Sequence, residues 1–179
     1  LTETCCEFIY IREIYIFISI FLLLKKLILT CNKNLMPIHL KRLTKEKINI
    51  LENPIERVVI EPIDDTLLIW KGHIKGPDDS PYSGGIFPIV MKFDETYPIK
   101  PPSVKFTKFI FHPNIYRDGK ICIDILQSNW APSLNIQSIL MSLVSLFDDP
   151  NVASPANRDA ANLYKDDISK FNLKVKEYL

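Results

Sequence analysis

Glycine is scarce in this chain, with five residues in 179, whereas proline contributes 13. Because glycine loosens a chain and proline fixes its φ angle, we expect loops of defined conformation rather than slack linkers. Neither sign of charge is in excess. Four basic and three acidic residues precede Met36, which leaves 18 of each from Met36 onward. This balance excludes the basic footprint that is typical of proteins that bind nucleic acid directly.

Cysteine is also sparse, and its positions are informative. The four cysteines are Cys5, Cys6, Cys31 and Cys122. The sequence has no C-x-x-C motif and no Cys or His pair at zinc-ligand spacing, so we predict no metal site and no cofactor. Cys122 stands alone in residues 36–179, where a single thiol cannot form an internal disulfide. That pattern fits a reducing compartment and leaves Cys122 with a role in either packing or chemistry.

Long apolar runs are confined to residues 1–35, which we predict to be an apolar N-terminal extension outside the fold. The uninterrupted run, Ile14 to Leu24, has 11 residues, against roughly 20 for a spanning helix. Three interpretations remain open: upstream sequence before a true start at Met36, a membrane anchor, or an extension that packs on the domain. We favour the first. The length of the run would suit a signal peptide, but Arg12 and Glu13 cancel in charge and no cleavage site is evident.

The segment 36–179 has the patterns of a single α+β domain. Apolar residues predict a first helix from Ile38 to Leu51, with Leu40, Leu43, Ile50 and Leu51 on one face. Strands are predicted at 57–60, 67–75, 86–93 and 103–107. The third strand alternates most clearly, with Phe87, Ile89, Met91 and Phe93 on one face. One helix followed by four consecutive strands indicates an antiparallel meander.

Helical patterns return after Pro132. Residues 133–147 carry an apolar stripe typical of a helix that packs on a core. The stripe consists of Ile136, Ile139, Leu140, Leu143 and Phe147. Two shorter helices are predicted at 157–164 and 167–178, the second with Ile168, Phe171 and Val175 inward.

The most informative stretch is FHPNIYRDGKICIDILQSNWAP, residues 111–132. A lone cysteine among isoleucines is usually a packing residue. If the segment is extended, however, Ile121, Ile123 and Ile125 share one face, while Lys120, Cys122 and Asp124 share the other. A face that carries Lys and Asp is not a core face, so we expect Cys122 to be accessible. The turn signal at 117–119 can fold residues 112–114 back towards the thiol.

A hydrolytic cysteine would need a base, and His112 is the candidate. A histidine directly before proline in a turn is more often structural, and no Asp or Asn is placed to orient it. We therefore favour a structural role for His112. A thiol without a dedicated base suits transthiolation, in which the attacking and leaving atoms are both sulfur.

These motifs together resemble the ubiquitin-conjugating enzyme family. HPN lies eight residues before Cys122, and Trp130 lies eight residues after it and is followed by Ala-Pro. The resemblance covers essentially all of 36–179 and includes LKRLTKE, GPDDSPYSGGIF, YPIKPP, LFDDPN and SPAN. The HPN and SPANRDAANLY segments are most similar to the subgroup linked to DNA-damage tolerance and N-degron turnover.

The resemblance implies that Cys122 accepts ubiquitin from an activating enzyme as a thioester and passes it to a substrate lysine or a ligase cysteine. Asn114 matches the asparagine that stabilises the oxyanion or else holds the loop, two roles that stay open. His112, Tyr116, Asp124 and Ser154 would support the site, with Ser154 standing where many relatives have Asp. The implied partner-binding residues are Lys41, Arg42, Lys45, Ile99, Pro132 and Ser133.

The implied partners are ubiquitin, the activating enzyme, ligases and substrate proteins, with no direct contact to nucleic acid. The implied location is the cytoplasm and nucleus, or a membrane if residues 1–35 are an anchor. Two alternatives remain: conjugation of another ubiquitin-like modifier, and a non-catalytic variant that only binds ubiquitin. The presence of Cys122 argues against the second. The absence of an insertion between Cys122 and Trp130 argues against the SUMO type.

Overall fold

The computed structural model describes residues 36–179, which form an antiparallel sheet and a set of helices. The helices are α1 (Ile38–Glu52), α2 (Ile136–Asp148), α3 (Arg158–Asp166) and α4 (Ile168–Lys176). The strands are β1 (Val58–Pro62), β2 (Ile69–Lys75), β3 (Ile86–Lys92) and β4 (Ser103–Phe106). The predicted α+β class and element order are confirmed, with each boundary within three residues of its expected position.

The four strands pair in chain order, β1-β2-β3-β4, and each neighbour is antiparallel. The predicted alternation in β3 holds, since Phe87, Ile89 and Met91 are all buried. Val90 is buried as well, which period-two alternation did not predict. The sequence therefore located the core face of β3 correctly but underestimated how much of its other face is covered.

Helix α2 supplies the centre of the core. Its predicted apolar stripe is confirmed, because all five residues of the stripe are buried. Asn135 caps the helix by accepting a hydrogen bond from the Ser138 N–H at 2.8 Å, and Ser138 completes a capping box. Such caps stabilise a helix by about 1 kcal/mol. The Phe147 ring near the end of α2 lies 5.0 Å from the rings of both Tyr82 and Phe87.

Two apolar residues that were predicted to face the core are exposed. Leu51 is 73% exposed, because eight residues carry it about 80° round the helix from the buried Leu43. Ile168 is 49% exposed and begins α4 at the corner where α3 ends. The inward position on α1 is instead taken by a carboxylate, Glu46, which is 6% exposed.

Within residues 36–179, no helix is both long enough and apolar enough to cross a membrane. The apolar run on which the anchor interpretation depends lies outside the described residues.

Candidate active site

A tight hairpin brings the HPN residues to the thiol. We call residues 111–122 the HPN hairpin. Its turn is closed by the Tyr116 N–H, which donates to the Lys120 carbonyl at 2.8 Å, and by the Gly119 N–H, which donates to the Tyr116 carbonyl at 2.9 Å. The returning strand is then tied down by the Cys122 N–H, which donates to the Asn114 carbonyl at 2.9 Å. The predicted fold-back of residues 112–114 is confirmed.

Gly119 makes this turn possible. Its φ is +86°, a conformation that residues with a side chain disfavour. A Cβ at this position would also lie 2.0 Å from the Phe106 carbonyl oxygen. Only glycine permits both the turn and the close approach of β4.

Cys122 is half-exposed, as predicted from the charged residues on its face of the segment. The predicted alternation of an apolar face and a polar face, however, is wrong beyond Ile123. The backbone is extended at Ile123 and then enters a 3₁₀ turn, Asp124–Leu126. The turn breaks the alternation, so Ile123 and Ile125 are only half-buried and border the same groove as the thiol.

His112 is committed to structure through both ring nitrogens. It is 1% exposed, with Nε2 2.9 Å from the Leu146 carbonyl and Nδ1 accepting the Asn114 N–H at 2.9 Å. The contacts assign the proton to Nε2, because a carbonyl can only accept. Burial lowers the pKa of His112 to about 4. No nitrogen is left to take a proton from the thiol.

The side chain of Asn114 is paired with the backbone of Asn151. Its Nδ2 donates to the Asn151 carbonyl at 2.7 Å, and its Oδ1 accepts the Asn151 N–H at 2.8 Å. The Pro113 carbonyl adds two contacts, since it accepts the N–H groups of Ala156 and Asn157 at 2.8 and 2.9 Å. The HPN hairpin is thereby fixed to residues 151–157.

Two polar side chains lie beside the sulfur. Gln127 Nε2 is 3.8 Å from Cys122 Sγ and is oriented to donate to it. Hydrogen bonding to Cys122, followed by the charge of that group, raises the pKa of the exposed Tyr116 phenol. Sequence reasoning found Tyr116 but missed Gln127, whose only signal is its position five residues after the cysteine.

Asp124 holds its own turn. One carboxylate oxygen accepts the Ile125 N–H at 2.9 Å, and the other accepts Nδ2 of Asn129 at 2.9 Å. Although exposed, this carboxylate is therefore already occupied by the loop that follows the thiol.

Cys122 opens onto a groove of about 510 Å³ that runs along α2. Ser154, which the resemblance implied as a supporting residue, borders the same groove as the thiol. Met141, 56% exposed, and Ser145 form part of the α2 wall. Among the described residues, no group of three His, Cys, Asp or Glu side chains could hold a metal ion.

Comparison with known proteins fits this geometry. The sequence model described as "Ubiquitin-conjugating enzyme" matches residues 42–179. The chain belongs to the ubiquitin-conjugating enzyme family.

Individual relatives agree. Proteins named "Ubiquitin-conjugating enzyme E2 2" from Candida glabrata and Saccharomyces cerevisiae are each 47% identical to the chain over 137 residues. The aligned part is 76% of this chain and 82% and 80%, respectively, of those relatives. The protein of the same name from Neurospora crassa is 43% identical over 137 residues, covering 76% of this chain and 91% of its own. These names support ubiquitin conjugation rather than either alternative function.

Most of the implied partner-binding residues of this ubiquitin-conjugating enzyme are exposed and lie on neighbouring segments. We call Lys41, Lys45, Ile99, Pro132 and Ser133 the partner surface; each of the five is exposed. The Trp130 indole N–H links two of the segments by donating to the Pro98 carbonyl at 2.9 Å.

Arg42 differs from the other five. It is half-buried, and its guanidinium donates to the carbonyls of Pro132 and Leu134 at 2.9 and 2.7 Å and to the Glu46 carboxylate. The family resemblance implied a partner-binding role for Arg42; in the structure its charge is engaged within the domain. Sequence reasoning missed Glu46 altogether; its signal was the position three residues after Leu43, on the inner face of α1.

Proposed function

We propose that Cys122 is the residue on which this ubiquitin-conjugating enzyme carries ubiquitin. The family acts as a transferase that works with ubiquitin, an activating enzyme, ligases and substrates. The observation that carries the assignment is a half-exposed thiol that lines a groove. The backbone N–H of the same residue is bonded to the Asn114 carbonyl of the HPN hairpin. Cys122 is also the one thiol in residues 36–179.

The reaction has two exchanges at one carbonyl carbon. In loading, the Cys122 thiolate attacks the thioester that joins ubiquitin to the activating enzyme. A new C–S bond forms, and the activating enzyme's thiolate leaves. In discharge, a neutral lysine amine attacks the Cys122 thioester, a C–N bond forms, and Cys122 leaves as thiolate while the amine proton passes to solvent. A ligase cysteine can take the place of the lysine.

The hydrogen bonds of His112 to the backbone support thioester exchange at Cys122 over hydrolysis. Sulfur-to-sulfur exchange needs little acid–base help, because the attacking and leaving groups have similar basicity. A cysteine hydrolase needs a base within hydrogen-bond reach of the thiol, and both ring nitrogens of His112 are occupied elsewhere.

We assign Asn114 first to holding the loop. Its amide oxygen and one Nδ2 hydrogen bond to Asn151, which ties the HPN hairpin to residues 151–157. The second Nδ2 hydrogen is left for the oxyanion that forms during discharge, where one such donor contributes about 3 kcal/mol.

The remaining site residues have lesser assignments. Tyr116 flanks the thiol and removes water from the approaching lysine, which favours the neutral amine. Asp124 keeps the loop after the thiol in place. Ser154 lines the groove without a carboxylate, so lysine deprotonation depends on solvent.

We further propose that residues 36–179 are the catalytic domain and that residues 1–35 are dispensable for loading. The similarity to the DNA-damage and N-degron subgroup, together with the single thiol of this domain, favours the cytoplasm and nucleus. A chain that begins at Met36 should load ubiquitin at least as fast as the full chain. If it loaded tenfold more slowly, residues 1–35 would be part of the fold.

The test of the central assignment is a loading assay with activating enzyme, ATP and ubiquitin. The full chain should gain the mass of one ubiquitin in an adduct that thiol reduction removes. Cys122→Ser should give an adduct that resists reduction, because an oxygen ester replaces the thioester. Cys122→Ala should give no adduct, whereas a triple Ala variant at Cys5, Cys6 and Cys31 should load normally. A reducible adduct on Cys122→Ala would refute the assignment.

A further inference from the structure

The carboxylate of Glu46 joins three parts of the chain at one buried point. From α1, it accepts the Tyr97 hydroxyl on Oε1 at 2.6 Å and the Ile136 N–H on Oε2 at 2.7 Å. Arg42 Nε also donates to Oε1. Ile136 is the first residue of α2, where an anion is favoured by the free N–H groups and the helix dipole. Every acceptor oxygen of this side chain is therefore in use.

Arg42 extends the junction to the segment that follows Trp130. Its two terminal nitrogens donate to the carbonyls of Pro132 and Leu134. Its guanidinium carbon also lies 5.9 Å from the centre of the Tyr97 ring. The rigid fork of arginine can hold two carbonyls and a carboxylate together, which the single ammonium of lysine cannot do.

Tyr97 brings in the third segment, the loop that carries Ile99. The residue is buried, and its ring centre lies 6.0 Å from that of Trp130. Burial, and then the hydrogen bond to Glu46, raise the pKa of Tyr97 far above its ordinary value. The phenol therefore stays protonated and remains a donor to Glu46.

These contacts coincide with the partner surface. Lys41 and Lys45 lie on α1 beside Arg42, Ile99 lies two residues after Tyr97, and Pro132 itself bonds to Arg42. An ion pair that is mostly shielded from water, as Arg42 and Glu46 are, contributes little net stability over apolar residues of the same volume. Stability alone therefore gives a weak account of this pair. Its geometry, in contrast, fixes three short segments relative to one another.

We propose that Glu46, with Arg42 and Tyr97, is a positioning residue for partner recognition: it sets the relative placement of α1, the 97–99 loop and the 132–136 segment. The inference rests on the proposed function, since it takes the partner surface to be where the activating enzyme docks. None of the three side chains contacts the thiol groove, so they act on docking and not on chemistry at Cys122.

The experiment separates docking from chemistry by comparing two half-reactions of the full chain. Loading is measured against the concentration of ubiquitin-charged activating enzyme, which gives KM and kcat. Discharge is measured from the loaded enzyme to free lysine without a ligase, which involves no docked partner. Tyr97→Phe removes one hydroxyl and keeps the ring, and Glu46→Gln keeps the shape and removes the charge.

The expected result is a KM for the charged activating enzyme that rises about tenfold in each variant, as for loss of a hydrogen bond to a charged group. The kcat for loading and the rate of discharge should stay within twofold of the parent. Hydrogen exchange of the backbone should quicken at 97–99 and 132–136 and stay unchanged in the HPN hairpin.

Val175→Ala is the control for simple loss of stability, because Val175 is a buried residue of α4 outside this junction. It should lower the melting temperature without changing KM, with all variants assayed well below their melting temperatures. An unchanged KM in Tyr97→Phe and Glu46→Gln, or a parallel fall in free-lysine discharge, would overturn the positioning role.

Ile99→Ala and Lys45→Glu test the underlying surface separately. If these raise KM and the junction variants do not, the partner surface stands and the positioning role fails. If none of the four raises KM, the partner surface is assigned wrongly, and the positioning role falls with it. Should Glu46→Gln not fold, Tyr97→Phe decides the question alone.

Discussion

The buried histidine makes the stability of the domain depend on pH in a way that can be calculated. The imidazole of His112 is closed off by the rings of Tyr82 and Phe147, at 5.7 and 5.8 Å between centres. Burial lowers its pKa from the ordinary 6.5 to about 4. At about 1.4 kcal/mol per pKa unit, this difference corresponds to about 3 kcal/mol of stability.

The direction follows from which state binds the proton. Above pH 6.5, His112 is neutral in both the folded and the unfolded chain, and its contribution is complete. As the pH falls from 6.5 to 4, His112 is protonated in the unfolded chain but stays neutral in the folded chain, so the free energy of unfolding decreases. Below about pH 4 both states are protonated, and the loss levels off.

The assay is urea unfolding of the full chain at half-unit steps from pH 7.5 to 3.5. Carboxylates with lowered pKa values, such as Asp94, Asp118 and Asp167, also destabilise the fold as they protonate in acid. The decisive quantity is therefore the difference between the parent and His112→Asn, which keeps an acceptor near the Asn114 N–H but cannot take up a proton.

His112→Asn should be less stable at pH 7 but should lose about 3 kcal/mol less than the parent between pH 7 and pH 4. If the parent and His112→Asn lost stability in parallel, folded and unfolded chains would bind the His112 proton equally well, and the proposed burial and hydrogen-bond pattern of the imidazole would be wrong.

Three further predictions concern the HPN hairpin and its surroundings. Asn114→Ala should lower loading, discharge and melting temperature together, because the contacts with Asn151 are lost; normal loading with discharge slowed by about 10²-fold would instead identify the oxyanion role as dominant. Gln127→Ala should slow iodoacetamide alkylation of Cys122, followed by peptide mass spectrometry, because a donor to the thiolate is removed; equal slowing in Ser128→Ala would show that the amide has no specific effect. Gly119→Ala should destabilise the domain by more than about 2 kcal/mol, because the new Cβ meets the Phe106 carbonyl. Gly84→Ala, with φ +80° and open space around it, should cost about 1 kcal/mol. Equal costs in urea unfolding would mean that β4 moves aside at Gly119.

Periodicity was enough to predict the layers of the fold. The helix α2 and the strand β3 repeat apolar residues at their own periods, so their positions and core faces could be read from the sequence. Turn chemistry was also informative, since Arg117-Asp118-Gly119 marks the reversal that brings Asn114 to Cys122. These signals depend only on residues close together in the chain, so they can be read without knowing the tertiary contacts.

The parts that could not be predicted depend on contacts between residues far apart in the chain. Glu46 and Ile136 are 90 residues apart, and nothing in the surroundings of either residue indicates the other. A charged residue on a helix is expected in solvent, so nothing in the sequence indicated that Arg42 and Glu46 are engaged within the domain. The alternation around Cys122 failed for a different reason, because the extended backbone ends at Ile123 and a 3₁₀ turn begins at Asp124.

Helix α2 fixes the distance between the junction at Glu46 and the HPN hairpin. Its first N–H is bonded to Glu46, and the Leu146 carbonyl ten residues later is bonded to His112. At 1.5 Å per residue these two anchor points are about 15 Å apart along a rigid axis. The spacing of the two anchor points is therefore set by the rise of a helix and not by the conformation of a loop. An inserted or deleted residue within the helix would shift one anchor by about 100° and disconnect it.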